Sequence, residues 1–124
     1  MNYLGIDFGT VRIGLAIGND VIKIAMPFSV VENLEKVLEV IKTEGIDKLI
    51  IGVPFTMQSE SGKMQKQVAD FIRELKEVTD LPIIEIDERL SSKAADALVG
   101  DKKTKAGRDA LAAMLILQNY LDRT

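Results

Sequence analysis

Asp7 follows an apolar run, Tyr3-Leu4-Gly5-Ile6, and precedes Phe8-Gly9-Thr10. A carboxylate emerging from a core strand is costly to desolvate unless it meets a cation or hydrogen-bond donors. Asp87 and Glu88 end a second apolar run, Pro82-Ile83-Ile84-Glu85-Ile86, and Asp109 opens a third, Ala110 to Leu117. Each acid has a plain explanation by itself. Asp7 suits a turn whose N–H groups it accepts. Asp87 and Glu88 suit a surface ion pair with Arg89 or a neighbouring lysine. Asp109 suits the first turn of a helix, where the dipole favours negative charge. As a trio they suit something else. Magnesium and manganese prefer oxygen ligands and bind through one or two carboxylates while keeping several waters. Two such ions roughly 3.5–4 Å apart activate a water and stabilise the leaving oxygen of a phosphodiester. The segment Lys102-Lys103-Thr104-Lys105-Ala106-Gly107-Arg108 runs directly into Asp109 with four cations in seven positions. It is either a solvated loop or a set of phosphate contacts beside the acids.

Composition narrows the chemistry further. The 124 residues include no histidine and no cysteine. Serine–histidine and cysteine–histidine catalysis, disulfides and zinc–thiolate sites are therefore excluded. Carboxylates, lysines and hydroxyls, with a metal, must carry any reaction near neutral pH. The net charge of −3 argues against a surface coated for nucleic acid, so any such contact is a local patch. No apolar run approaches the roughly 20 residues of a membrane-spanning helix. No basic-then-apolar signal opens the chain, so the expectation is a cytoplasmic protein with no membrane partner.

The elements that must position the acids follow from periodicity. Tyr3–Ile6, Ile13–Gly18 and Val21–Met26 are expected as three strands of an antiparallel meander, the last ending at Pro27. From Glu32 the period becomes helical, with Leu34, Val37, Leu38 and Ile41 on one stripe and Gly45 as the stop. Lys48–Val53 is nearly all apolar, as in a strand covered on both faces. A loop from Pro54 to Gly62, a helix carrying Val68, Phe71, Ile72 and Leu75, and a strand from Pro82 to Ile86 come next. Ser91 is expected to cap a short helix with Ala94, Ala95 and Leu98, and a buried helix starts near Gly107. The order implies an α/β fold: one mixed five-stranded sheet, the meander plus two parallel strands, flanked by helices. Residues 1–124 are expected to form a single domain.

Three blocks carry a resemblance to a known family: Asp7-Phe8-Gly9-Thr10-Val11-Arg12-Ile13-Gly14, then Ile51-Gly52-Val53-Pro54 with a polar loop to Gly62, then Asp87-Glu88-Arg89-Leu90-Ser91-Ser92 with Arg108-Asp109 behind it. In order and at this length they resemble the YqgF/RuvX family of Holliday-junction-resolvase-like nucleases. The resemblance implies a ribonuclease H-like fold and a metal-dependent endonuclease. It implies processing of the 5′ end of pre-16S ribosomal RNA, with branched DNA as a second substrate class. It also implies Mg2+ or Mn2+ as cofactor. Asp7 matches the first-strand acid and Asp109 the acid of the last helix. In related resolvases the middle acid ends the fourth strand, which here reads Gly52-Val53-Pro54, so Glu88 is its replacement and Asp87 the second choice. Thr10, Arg12, Arg89 and Lys93 are phosphate-contacting or site-ordering candidates beside Lys102, Lys103, Lys105 and Arg108, or else solvated surface groups.

Two other function classes stay open on the sequence alone. One is a nucleic-acid-binding module of the same fold that does not cut, favoured by the acid-free fourth strand. The other is a nucleotide-binding half-domain, because Asp7-Phe8-Gly9-Thr10 also resembles the first phosphate loop of actin-like ATPases. A homodimer is compatible with either the nuclease or the half-domain.

Overall fold

In the computed structural model, which describes residues 1–53, 62–87 and 105–124, strand β1 (Asn2–Phe8) pairs antiparallel with β2 (Ile13–Asn19). β2 in turn pairs antiparallel with β3 (Met26–Val31) across a register shift at Leu15/Ala16. On its other side β1 takes β4 (Lys48–Val53) in parallel, and β4 takes β5 (Ile83–Asp87) in parallel. The sheet order is β3-β2-β1-β4-β5, the mixed five-stranded sheet expected from the sequence.

Strand alternation sorts the side chains onto two faces. Leu4, Ile6, Leu15, Leu49 and Ile51 meet Val37 of α1 (Leu34–Thr43) and Val68, Phe71, Ile72 and Leu75 of α2 (Gly62–Val78). Tyr3, Ala16, Ile50 and Ile86 meet Ala113, Ile116, Leu117 and Leu121 of α3 (Lys105–Asp122). β4 contributes to both clusters, which accounts for its unbroken apolar composition. α3 buries Ala112, Ala113, Ile116 and Leu117 against the sheet, while Leu111, Met114 and Leu115 are half-buried. Its all-round apolar character therefore overstates its burial. Among the described residues no helix is long and apolar enough to cross a membrane.

Local chemistry sets the element ends. Asn33 caps α1, its side-chain oxygen accepting the Lys36 N–H at 3.0 Å, an arrangement that contributes about 1 kcal/mol. Gly45, at φ +61°, ends the same helix in a left-handed conformation. The third strand departs from expectation. Val21–Met26 was the expected strand, yet Asn19 Oδ1 accepts the N–H groups of Val21 and Ile22 at 3.0 and 2.8 Å. Lys23 takes φ +62°, and its N–H bonds the Asn19 carbonyl at 3.0 Å. This side-chain turn occupies the apolar residues, and the strand starts at Met26 instead. Pro27 lies inside it without penalty because β3 is an edge.

A cage of polar and aromatic groups closes the end of the sheet where β1 begins. Lys48 Nζ donates to the Tyr120 hydroxyl at 3.0 Å and lies 5.7 and 5.5 Å from the ring centres of Tyr3 and Tyr120. The two rings meet edge-to-face at 5.6 Å. Burial, followed by the nearby charge of Asp20, pushes the Tyr3 phenol above its ordinary 10.0. The hydrogen bond to Tyr120 is the main cause holding the Lys48 ammonium above its ordinary 10.5. Both groups hold their protons more tightly folded than unfolded. Their contribution is complete below those ordinary values and is lost as pH rises through the raised folded ones. The urea midpoint should therefore fall as pH is raised past 10, and less steeply in Tyr3→Phe; parallel pH profiles in the two proteins would refute this assignment.

Candidate active site

Asp7 is directly opposite Gly14 in the β1–β2 ladder. Opposed residues of an antiparallel pair share a face. That face is the one under α3: Tyr3 packs there, and a Cβ on Gly5 would lie 2.8 Å from both the Ala113 carbonyl oxygen and Leu117 Cβ. By alternation Tyr3, Gly5 and Asp7 all turn toward α3. Gly14 is the decisive contact, because a Cβ there would run into the carbonyl oxygen of Asp109. The backbone of Asp109 thus rests on the residue paired with Asp7. The last helix lays the backbone of Asp109 on the strand pair that carries Asp7, in the space a side chain on Gly14 would fill.

Asp109 is also held from the side. Arg12, in the turn between β1 and β2, donates from Nε to Asp109 Oδ2 at 3.0 Å. The helix begins at Lys105, so Asp109 is one turn inside it rather than in the first turn. The dipole fades within that first turn, and the guanidinium is the charge that compensates Asp109. With the two side chains 35% and 20% exposed, the pair is screened and contributes on the order of 1 kcal/mol or less. Arg12→Gln should lower unfolding free energy by no more than that; a loss several times larger in urea titration would make Arg12 chiefly structural.

The other candidates fall in several places. Asp87 ends β5 opposite Val53, on the alternation of Ile83 and Glu85, which belongs to the α1/α2 side of the sheet. Thr10 is exposed at the mouth of a recess of about 220 Å³ whose walls include Phe8, Phe71, Asp70 and Glu74. Those carboxylates make the recess a poor phosphate site. Arg108 is half-buried in α3, one residue before Asp109. Lys105 is the first residue of α3. Glu88, Arg89, Lys93, Lys102 and Lys103 lie outside the described residues, as do most of the loop after β4 and the expected short helix. Among the described residues no group of three or more carboxylates is close enough to hold a metal ion. Gly14 is the residue that sequence reasoning missed. Its signal was present, since a glycine inside an apolar strand marks a close backbone approach.

The family model described as "RuvX: Holliday junction resolvase" matches residues 1–123. The chain belongs to the RuvX family. A relative from Maridesulfovibrio salexigens, named "Putative pre-16S rRNA nuclease", is 38% identical over 99% of both chains. One of the same name from Natranaerobius thermophilus is 37% identical, covering 99% of this chain and 95% of that protein. Among solved structures, T. thermophilus RuvC in complex with a Holliday junction substrate superposes with a TM-score of 0.60 at 17% identity, covering 94% of this chain and 91% of that one. At that identity the likeness establishes the fold, which is ribonuclease H-like.

Proposed function

We propose that this protein is a metal-dependent endonuclease that hydrolyses phosphodiester bonds of structured nucleic acid, with precursor 16S ribosomal RNA as substrate. The observation that carries the reading is the seating of Asp109 on Gly14, the ladder partner of Asp7. Two carboxylates on adjoining elements, with no imidazole or thiolate in the chain, fit Mg2+ or Mn2+ and fit zinc poorly. Asp7 and Asp109 would hold the ion, and Glu88 is the third ligand of the proposal because Asp87 belongs to the opposite face. The bound metal would lower the pKa of a water and neutralise charge on the phosphoryl oxygens.

The remaining work falls to this chain's own groups. Asp7 is rigid, being paired along a strand whose preceding residue is fully buried. Asp109 is fixed by its helix and by the Arg12 Nε bond. Among the described residues Arg12 bonds through Nε alone, so its other guanidinium donors would meet an incoming phosphate, and the Lys102–Arg108 segment would line the approach. Arg12→Gln should weaken RNA binding and reduce the slope of log affinity against log salt by about 1. An unchanged slope would remove Arg12 from the phosphate contacts.

The deciding experiment incubates the protein with a precursor 16S ribosomal RNA fragment, and separately with a four-way DNA junction, in Mn2+. Discrete cleavage of the RNA supports the proposal. Cutting of the junction alone would keep the chemistry and move the substrate to branched DNA. Salt-sensitive binding of both without cleavage would make the protein a binding module.

A further inference from the structure

The end of the sheet away from Asp7 carries a feature the nuclease reading leaves unused. Around the β2–β3 turn, Val21, Ile22, Ile24 and Met26 are 84%, 64%, 59% and 59% exposed, and Phe28 on the edge strand is 39% exposed. Beside them lies a groove of about 390 Å³ walled by Ile17, Ile22, Ile24, Met26, Ile46 and Glu44. At roughly 100 Å² each, five such side chains match the largest apolar patch an ordinary monomer shows. We propose that this patch is a homodimer interface, the turn at residues 20–24 of each copy seating against the groove of the other.

Four observations select a second copy as the occupant. The patch holds a projection, Val21 and Ile22, next to a recess, which is the self-complementarity a two-fold contact requires. Two copies together would remove on the order of 1,000 Å² from water, the threshold of a specific interface. The charges also match, because the projecting turn carries Lys23 and the groove carries Glu44, so the two-fold pairs each with the other twice. Finally, Pro27 takes an N–H donor out of the free edge, which disfavours an extended peptide adding a sixth strand. Nucleic acid finds no reason to bind an apolar patch with a single cation. The interface and Asp7 lie at opposite ends of β1, since Asn2 pairs with Asn19 and Asp7 with Gly14. Both acid sites of the dimer would therefore remain open.

Sedimentation equilibrium of the full chain, from low micromolar to near-millimolar concentration, tests the proposal. Wild type should be a dimer in reversible exchange with monomer, and Ile22→Asp should be monomeric with an unchanged circular dichroism spectrum. Lys23→Glu should weaken association at least tenfold, and adding Glu44→Lys should restore it. Because the chain has no cysteine, a Lys23→Cys variant mixed with a Glu44→Cys variant should be joined by a short bis-maleimide into a mixed dimer. Wild type that is monomeric at every concentration would overturn the proposal, as would a dimer indifferent to Ile22→Asp.

Discussion

Replacing Asp7 by Asn should cut the rate of phosphodiester cleavage by about a thousandfold or more, since losing a metal ligand removes several kcal/mol of charge stabilisation from the transition state. Asp109→Asn should have a comparable effect. Asp109→Asn also weakens the 3.0 Å bond from Arg12, so its thermal midpoint should fall slightly. Titration with Mn2+ followed by electron paramagnetic resonance supplies a measure independent of turnover, and both variants should bind the ion more weakly. An Asp7→Asn protein that cleaves within tenfold of wild type would sink the proposed site.

Among the glycines whose surroundings are described, Gly14→Ala should be the most damaging added methyl. Overpacking a core commonly costs 1–3 kcal/mol. Here the obstacle is the backbone carbonyl of Asp109, which cannot rotate away as a side-chain end can. A loss of about 3 kcal/mol is expected, lowering the thermal midpoint by about 10 °C for a chain of this size. Gly18→Ala is the control, because its nearest neighbours are the Ile24 carbonyl and the ends of Leu121 and Leu117, all at 3.2–3.3 Å. Its cost should stay near 1 kcal/mol. Any Gly14→Ala protein that still folds should also bind Mn2+ poorly, because α3 must lift from the sheet and carry Asp109 with it. Equal stability of the two variants would show that α3 yields easily and does not register the acids.

The contrast between legible and illegible features follows the range of the interactions that determine them. β4 was bounded at Lys48–Val53 from composition alone, because burial on both faces imposes an apolar run that nothing else in the chain imitates. β3 starts at Met26 rather than Val21: apolarity at Val21–Ile24 looks like a strand, while one asparagine side chain accepting two N–H groups makes it a turn. α3, expected to start near Gly107, runs from Lys105, so Asp109 lies one turn inside it and an ion pair rather than the dipole accounts for the charge. For the site, Asp7 and Asp109 were legible as acids at the edges of core segments. The seating of the Asp109 backbone on the strand pair that carries Asp7 was not, because it depends on which residue of β2 faces Asp7 and on that residue lacking a side chain. Pattern along one segment reveals burial, whereas proximity between segments is a property of register. The cage of Tyr3, Lys48 and Tyr120 escaped notice for the same reason, its members coming from two strands and the last helix.

The seating of α3 on Gly14 has a consequence in time. A growing chain is made N-terminus first, at about 5–20 residues per second, so Asp7 is synthesised on the order of 5–20 s before Asp109. Until then β1, β2 and β4 have no α3 to cover Tyr3, Ala16 and Ile50, and the acid pair does not exist. If Asp7 and Asp109 are the ligands proposed, a protein synthesised next to the RNA it is proposed to cut would gain its cutting centre only with its last helix.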